Sequence, residues 1–360
     1  MPAIEQKMGA NHLWQAHYRQ MPLSGNMIGL DIGQSHVTAV RLARDDDGTI
    51  STLQMAEVGL PRSTFDSSGM LLRPEVLTGA IKMLRAKADL KGKKAMLAIN
   101  GSALSIQPVE RPGNLWGETL ASSVRLEIEP GLPYDRDLAK ISFRELSREE
   151  GGMVKMLSVA VRSDLPTAIA AAVRKGGLVA SDILPGPAVL PLSIEVGEGS
   201  EILLAIGMLT SSVLLLHDGE LSYAQTIPMG SDHFTGALTT TGMSASEAEK
   251  WKLTHSLVAP AGRADPYPSQ RAALFTAADN LVEAVYQVLT YDQSEGAASG
   301  IRRLLLTGGG AKLSGLCSYL NRSLSLPVEV AAPRDNLQVA DLERFPRHAM
   351  AYSLALSEAS

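Results

Sequence analysis

The sequence predicts an α/β protein with two related lobes, because its two halves open with the same strand pattern. Leu30-Asp31-Ile32-Gly33 and Leu204-Ala205-Ile206-Gly207 each end an apolar run, and each is followed by a polar turn and a second strand-like run. Both patterns continue through an Asp-Gly turn into a third run, at Asp47-Gly48 and at Asp218-Gly219. Asp-Gly between apolar runs predicts a hairpin, since Gly adopts positive φ cheaply. A meander repeated about half a chain apart favours two lobes that face a cleft.

Length and composition fit this arrangement and exclude some classes of protein. A chain of 360 residues with 45% hydrophobic side chains has enough apolar material for more than one core. Its formal net charge of -5 is unlike that of a general nucleic-acid binder, so we expect no nucleic-acid partner. The single cysteine, Cys317, excludes an intrachain disulfide and fits a reducing compartment. No run reaches the roughly 18 apolar residues that span a membrane.

The first 26 residues contain no apolar stretch of the kind found in a signal peptide. We expect a flexible leader at 1–26. Trp14, Tyr18 and Met21 would share one face if this segment were helical. A membrane-associated role would therefore depend on another protein for anchoring.

The segment between the two meanders predicts a helix, a buried strand and then a separate α/β unit. Apolar residues at helical spacing place the helix at 73–88, and KKAMLAIN is the strand. In the separate unit, Asp164 is the expected N-cap of a helix whose first turn contains Pro166. The predicted strands of this region are 104–109, 139–144, 153–161 and 178–184, with a further helix at 115–128.

After the second meander the pattern is mainly helical. Ser244 followed by Glu247 is a capping box, which predicts that a helix begins there. A long amphipathic helix is expected at 271–292, and residues from 301 onward predict strand, glycine turn, helix and strand.

Two motifs carry possible binding chemistry. Asp31-Ile32-Gly33 ends a strand at a tight turn, where backbone N–H groups can bind a phosphate and the carboxylate can orient water around Mg²⁺. Gly308-Gly309-Gly310 follows an apolar strand, and such a turn lets a phosphate or a flat ligand approach the backbone. An ordinary hairpin turn and a merely tight turn also explain the two motifs, and the glycine spacing does not match a Rossmann fingerprint.

Five segments, in one colinear order, resemble the PilM family of type IV pilus assembly proteins. The first is GLDIGQSHVTAVRLAR, and the second is LPYDRDLAKISF. The others are HDGELSYAQTIPMGSDHFTGAL, MSASEAEKWK and LLLTGGGAKLSGLCSYLNRSLSLPVEVAAP. The resemblance extends over about 27–360 and implies an actin-like ATPase fold, two-lobed and ribonuclease H-like, with an inserted FtsA-type subdomain.

The resemblance also implies a division of the chain. We expect subdomain 1A at 27–103 and again at 177–199, with the inserted subdomain 1C at 104–176. The expected bounds in the second lobe are 2A at 200–230 and 301–332 and 2B at 231–300, with 333–360 closing on 1A.

The implied ligand is ATP with Mg²⁺ in the central cleft. By position, Asp31 would lie near the metal. The other implied contacts are the first phosphate loop (Gly33, Gln34, Ser35, His36), the second (Gly207, Thr210, Ser211, Ser212), the ribose and adenine side (Glu249, Lys252) and the glycine turn (Gly308, Gly309, Gly310). Without the resemblance, Glu249 and Lys252 would be interpreted as a solvated helical ion pair.

Three positions depart from the family pattern. Ala205 replaces the Asp of the second phosphate loop, Gly186 or Pro185 stands where the family often has Glu, and Ser353 replaces a Gly. Since phosphoryl transfer depends on metal electrostatics and positioning, loss of two acidic groups is expected to impair hydrolysis more than binding. An empty, degenerate cleft is a further possibility that the sequence leaves open.

The implied function is a cytoplasmic scaffold, peripheral to the inner membrane, that binds the cytoplasmic N-terminus of a PilN-like protein and other pilus assembly components, with self-association possible. A type II secretion scaffold would use the same fold. A sugar or metabolite kinase would need a catalytic carboxylate for which the sequence offers no clear candidate. An FtsA-like protein would carry a basic amphipathic helix, whereas AMAYSLALSEAS contains no basic residue.

Overall fold

The two predicted meanders each form three adjacent strands of a sheet, and five strands have the same order in both sheets; the first sheet has one further strand at its edge. The computed structural model describes residues 27–88, 90, 94–148, 152–259, 264–294 and 300–357; the predicted leader, 1–26, lies outside this part. The strands are β1 Met27–Ile32, β2 His36–Arg44, β3 Ile50–Gly59, β4 Lys94–Ile99, β5 Leu104–Pro112, β6 Ala139–Arg148, β7 Met153–Arg162, β8 Val179–Pro185, β9 Ser200–Ile206, β10 Ser211–His217, β11 Glu220–Ile227, β12 Ile301–Thr307, β13 Val328–Val330 and β14 Leu337–Gln338.

Helices cover the sheets and connect their strands. They are α1 Pro74–Ala88, α2 Gly117–Ile128, α3 Asp164–Lys175, the short α4 Gly186–Val189, α5 Ser231–Thr239, α6 Ala245–Thr254, α7 Pro268–Ser294, α8 Leu316–Leu324 and α9 Phe345–Leu356. Among the described residues, no helix is both long enough and apolar enough to span a bilayer.

The strand order shows the duplication directly. The first sheet runs β14-β3-β2-β1-β4-β8 and the second runs β11-β10-β9-β12-β13. In each, three consecutive antiparallel strands are extended by two strands that lie parallel to the first. The carboxyl ends of β1, β4 and β8 therefore lie at one edge of the first sheet, and those of β9, β12 and β13 lie at one edge of the second. Ligands of α/β proteins bind at such edges.

Successive side chains of β9 point to opposite faces of the sheet, so this strand contributes to the cores of both lobes. On β9, Ile202, Leu204 and Ile206 pack among the helices of the second lobe, whereas Leu203 belongs to the core cluster of the first lobe. A separate small core lies between α2 and the inserted sheet, which has the order β5-β7-β6.

The C-terminal helix α9 crosses back and packs against β1 and β2 of the first lobe. Gly29 permits this approach. A Cβ at this position would lie 2.1 Å from the carbonyl oxygen of Ala351 and 2.4 Å from the backbone nitrogen of Ala355. The first sheet is therefore completed by the last helix of the chain.

Two local expectations can be compared with the observed caps. The Ser244 capping box is confirmed, since its hydroxyl accepts from the Glu247 N–H and Glu247 accepts from the Ser244 N–H. The N-cap at Asp164 was wrong by one residue, because α3 begins at Asp164 and Ser163 occupies the cap position. The Asp164 carboxylate instead pairs with Arg162 at 2.9 Å.

Candidate functional site

The first turn, residues 33–36, joins β1 to β2 and is closed by a bond from the Gly33 N–H to the His36 carbonyl at 2.9 Å. Just before it, Asp31 lies opposite Thr38 in the strand ladder. No described residue forms a hydrogen bond or ion pair with the half-buried Asp31 carboxylate, and burial raises its pKa to about 7. A nearby cation would favour the charged form of this group.

Two residues of the first turn face neighbouring strands and loops. The His36 ring bonds to the Ser35 hydroxyl at 2.9 Å and approaches Glu57 at 3.6 Å. The Ser35 carbonyl accepts from the Leu60 N–H at 2.7 Å. The turn is therefore held in place by β3 and by the loop that follows it.

Glu57 lies at the centre of a charged cluster that connects the first turn to the beginning of α9. His348 approaches the Glu57 carboxylate at 3.4 Å and Arg344 at 3.5 Å, and Arg347 also forms an ion pair with it. Although burial alone would raise the pKa of Glu57, Arg347 and the two histidines hold it below its usual value. Burial lowers the pKa of His348, so its ring is neutral at pH 7.

The second turn, residues 207–210, has the same construction at the end of β9. The Gly207 N–H donates to the Thr210 carbonyl at 3.0 Å, and Ala205 lies opposite Ser212, as Asp31 lies opposite Thr38. The expected departure is thus a loss of the carboxylate from an otherwise equivalent position.

Helix α5 braces the second turn. The Ser231 and Asp232 N–H groups donate to the carbonyls of Gly207 (2.8 Å) and Met208 (2.9 Å). Gly230 permits the approach, because a Cβ there would lie 2.4 Å from the Met208 carbonyl oxygen. The first two N–H groups of α5 are consequently engaged by the turn itself.

The two turns meet across the cleft. The Leu209 N–H of the second turn donates to the side-chain oxygen of Gln34 in the first at 3.1 Å. Arg62, in the loop after β3, forms an ion pair with Asp232 of α5 at 2.5 Å. These contacts hold the lobes together at the site where the resemblance places the phosphates.

Glu249 and Lys252 form the expected i, i+3 pair on α6, at 2.8 Å. The Lys252 ammonium, only 10% exposed, also donates to the Thr235 hydroxyl and to the Ser231 carbonyl. Because the Ser231 N–H donates to the Gly207 carbonyl, Ser231 links Lys252 to the second turn. The pair is therefore anchored to the cleft wall rather than freely solvated.

The glycine turn, residues 308–310, lies beside the second turn because β12 pairs with β9. The Gly308 N–H donates to the Pro346 carbonyl at 2.8 Å. A Cβ on Gly308 would lie 2.4 Å from the Ile206 carbonyl oxygen, and one on Gly310 would lie 2.2 Å from the Ile206 side chain. Gly309 is exposed and has no neighbour within 4 Å of such a Cβ, so a ligand can approach it closely.

The sequence matches the family model described as type IV pilus assembly protein PilM over residues 29–359. The chain belongs to the PilM family. Among solved structures, the chain is similar to one described as the PilM-PilN type IV pilus biogenesis complex, with a TM-score of 0.78 and 22% identity, covering 93% of this chain and 99% of that one.

Other similar structures support the fold. The ethanolamine utilization protein EutJ from Carboxydothermus hydrogenoformans has a TM-score of 0.55 and 15% identity, with coverage of 98% and 97% of the two chains. MreB5 of Spiroplasma citri, bound to ADP, has a TM-score of 0.54 and 13% identity, with coverage of 94% and 97%. The fold is the actin-like ATPase fold.

The two remaining departures from the family pattern have structural explanations. A Cβ at Gly186 would lie 1.8 Å from the Asn100 side-chain oxygen, so the Asn100 amide fills the space that a side chain at 186 would need. Ser353 is buried away from the turns, where its hydroxyl bonds to Leu190 and Ser193, both at 2.8 Å. It fastens α9 to the segment after α4.

Sequence reasoning missed several residues that face the cleft. Asn100 and Gly101 follow the end of β4, and a Cβ added to Gly101 would lie 3.5 Å from the Thr210 hydroxyl oxygen. A polar residue and a glycine directly after a buried strand were an available signal. No sequence pattern indicated the pair formed by Arg62 and Asp232, because the two residues lie in different lobes.

The donor set limits how a metal ion could bind. In the described ranges, no group of three or more His, Cys, Asp or Glu side chains could hold a metal ion. Mg²⁺ does not require one, since it keeps several waters and commonly binds through one or two carboxylates and substrate phosphates. Asp31, half-buried and without a hydrogen-bond or ion-pair partner among the described residues, fits such a role.

Proposed function

We propose that this protein is a nucleotide-binding scaffold of type IV pilus assembly that holds ATP with Mg²⁺ and hydrolyses it slowly or not at all. The observation that carries the proposal is the difference between two equivalent positions. Asp31 presents a half-buried carboxylate that has no hydrogen-bond or ion-pair partner among the described residues, and Ala205 presents a methyl group at the equivalent position of the other lobe.

The binding part of the proposal rests on backbone groups and glycine. The first and second turns and the beginning of β10 would contact the phosphates through Gly33, Gln34, Ser35, His36, Gly207, Thr210, Ser211 and Ser212. Glu249, Lys252 and the glycine turn would flank the nucleoside. The solved structure of MreB5, which shares the fold, is bound to ADP. These contacts need little side-chain charge, so they are compatible with the loss of a carboxylate.

The slow hydrolysis follows from what the cleft lacks. Bound Mg²⁺ would neutralise charge on the phosphates, and Asp31 would orient its water shell. Ala205 and Gly186 supply neither a second carboxylate for the ion nor a base for the attacking water. Nucleotide would then stabilise one arrangement of the lobes rather than serve as fuel.

The partner part of the proposal follows from the PilM-PilN complex, which is structurally similar to this chain. We infer that the chain binds the cytoplasmic N-terminal peptide of a PilN-like protein, and that this contact brings it from the cytoplasm to the inner membrane. We place the contact on the inserted subdomain, 104–176. There β6 is an outer strand of the sheet, which suits addition of an extended peptide.

Calorimetric titration with ATP, with and without Mg²⁺, tests the binding. A phosphate-release assay on the same sample tests the hydrolysis. We expect Mg²⁺-dependent binding with little release. Rapid release that disappears in Asp31→Ala would contradict the scaffold role, and no binding at all would point to an empty cleft.

A fluorescent peptide with the sequence of the PilN-like N-terminus tests the partner contact by anisotropy. The matched control is the same peptide with alternate backbone nitrogens methylated. Methylation removes donors from a strand ladder while retaining the side chains, so we expect weaker binding. Equal affinity of both peptides would exclude strand addition.

A further inference from the structure

Asn100 lies at the edge of the first sheet where a ligand would bind. The register pairs Leu30 with Leu97 and Ile99 with Pro185, so Asn100 is the first residue after β4, level with Gly33 on one side and Gly186 on the other. Its side chain is exposed, and within the part of the chain that the structure describes no residue forms a hydrogen bond with its amide.

The position of the amide is set by Gly186. A Cβ on Gly186 would lie 1.8 Å from Oδ1, 2.6 Å from Cγ and 3.0 Å from Nδ2 of Asn100. The whole amide therefore lies where a side chain at 186 would be. The next residue, Gly101, has φ of +76°, and a Cβ added to it would lie 3.5 Å from the Thr210 hydroxyl oxygen of the second turn. Asn100 is thus adjacent to both turns.

The chemistry of an amide differs from that of a carboxylate at this point. An amide donates two hydrogen bonds through its NH₂ group and accepts through its oxygen. It can bond to an anionic phosphate oxygen without repulsion. It does not ionise near pH 7, so it cannot accept a proton from an attacking water.

We propose that Asn100 donates to the terminal phosphate of the bound nucleotide and so distinguishes a triphosphate from a diphosphate. The inference rests on the proposed function. It assigns a ligand contact to a residue outside both turns and explains how the cleft can recognise ATP without hydrolysing it. Gly186 contributes by leaving room for the amide.

The test compares ATP and ADP affinities by calorimetry for the wild type, Asn100→Ala and a matched control, Asn114→Ala, which removes an exposed asparagine in the loop before α2. We expect Asn100→Ala to weaken ATP binding about tenfold, as expected for loss of one hydrogen bond to a charged group, and to leave ADP binding unchanged. Asn114→Ala should change neither affinity.

Gly186→Ala is a second variant that displaces the amide without removing it, because the added Cβ would occupy its place. It should reproduce the selective loss of ATP affinity. Equal losses for ATP and ADP, or no loss, would overturn the role of Asn100 while leaving the scaffold function intact. A wild-type protein that binds neither nucleotide would refute the proposed function, and the inference with it.

Discussion

The two lobes have the same backbone arrangement at their turns. They differ in the side chain that precedes each turn. The first and second turns close through equivalent bonds from Gly33 and Gly207, at 2.9 and 3.0 Å. The residue two positions earlier is Asp31 in one lobe and Ala205 in the other. The turn geometry is therefore independent of the carboxylate. Strand pairing and packing maintain the repeated fold, so one lobe can lose an acidic group without losing its shape.

The largest expected effect concerns the packing of α9 against the first lobe. Gly29 lies beneath α9, and Gly29→Ala would force a methyl group against the backbone of Ala351 and Ala355, at 2.1 and 2.4 Å. Since backbone cannot move aside cheaply, we expect the free energy of unfolding to fall by about 3 kcal/mol or more. Urea denaturation measures the change.

Gly79→Ala is the matched control for this substitution. Gly79 lies within α1, and apart from its chain neighbours and the backbone of its own helix no described atom lies within 4 Å of an added Cβ. We expect stability to rise by about 0.5–1 kcal/mol, because Ala favours helix more than Gly does. Similar losses of unfolding free energy in both variants would show that the close approach of α9 to Gly29 does not cause the effect.

The second prediction removes the carboxylate that distinguishes the lobes. The pKa of Asp31 in the folded protein, about 7, is above its ordinary value of 3.8. Its contribution to stability is therefore greatest in acid and is lost as the pH rises from about 4 to about 7. Asp31→Asn should raise the free energy of unfolding at pH 8 by roughly 1–3 kcal/mol and abolish the Mg²⁺ dependence of ATP binding. A variant that is less stable at pH 8 would contradict this account.

The third prediction introduces a carboxylate at Ala205, so that both lobes carry one at equivalent positions. Ala205→Asp places a second carboxylate at the equivalent, partly buried position, so we expect a loss of about 1–2 kcal/mol at pH 8 and faster phosphate release. Ala205→Asn has similar volume without charge and should leave release unchanged. Equal release rates for the two variants would show that a second carboxylate at this position does not promote hydrolysis.

The smallest effect is a pH dependence found in the first lobe. Burial keeps the pKa of His348 below its usual 6.5, with Glu57 opposing the shift and Arg347 and Arg344 adding to it. Stability associated with the neutral ring is present above pH 6.5 and is lost as the pH falls below that value. His348→Gln should reduce this acid sensitivity by about 1 kcal/mol in urea titrations at pH 5 and pH 7. An unchanged difference between the two pH values would exclude His348 as its source.

Sequence patterns predicted the repeated meanders and most helices because those features depend on local periodicity and turn residues. Glu247 after Ser244, for example, specifies a helix start without reference to the rest of the chain. The N-cap predicted at Asp164 was wrong by one residue, because the position of a cap depends on backbone angles that composition does not set. The contacts of Gln34 with Leu209, and of Arg62 with Asp232, join segments far apart in sequence, and no local pattern contains them.

The glycines show the same difference between local patterns and contacts that are distant in sequence. Gly48, in a hairpin with φ of +88°, was predictable from Asp-Gly alone. Gly186 looked like a simple loss of an acidic residue, and only the positions of neighbouring strands show that Asn100 fills the space. The two turns of the predicted phosphate site lie together, joined by the hydrogen bond from Leu209 to Gln34.

The return of the chain to its first lobe has a consequence for synthesis in the cell. β14 and α9 are synthesised long after β1 and β3, yet β14 pairs with β3 and α9 packs on β1. A nascent chain on the ribosome therefore carries an apolar sheet face that stays uncovered until α9 has been made. Early termination would leave this face exposed to chaperones and proteases.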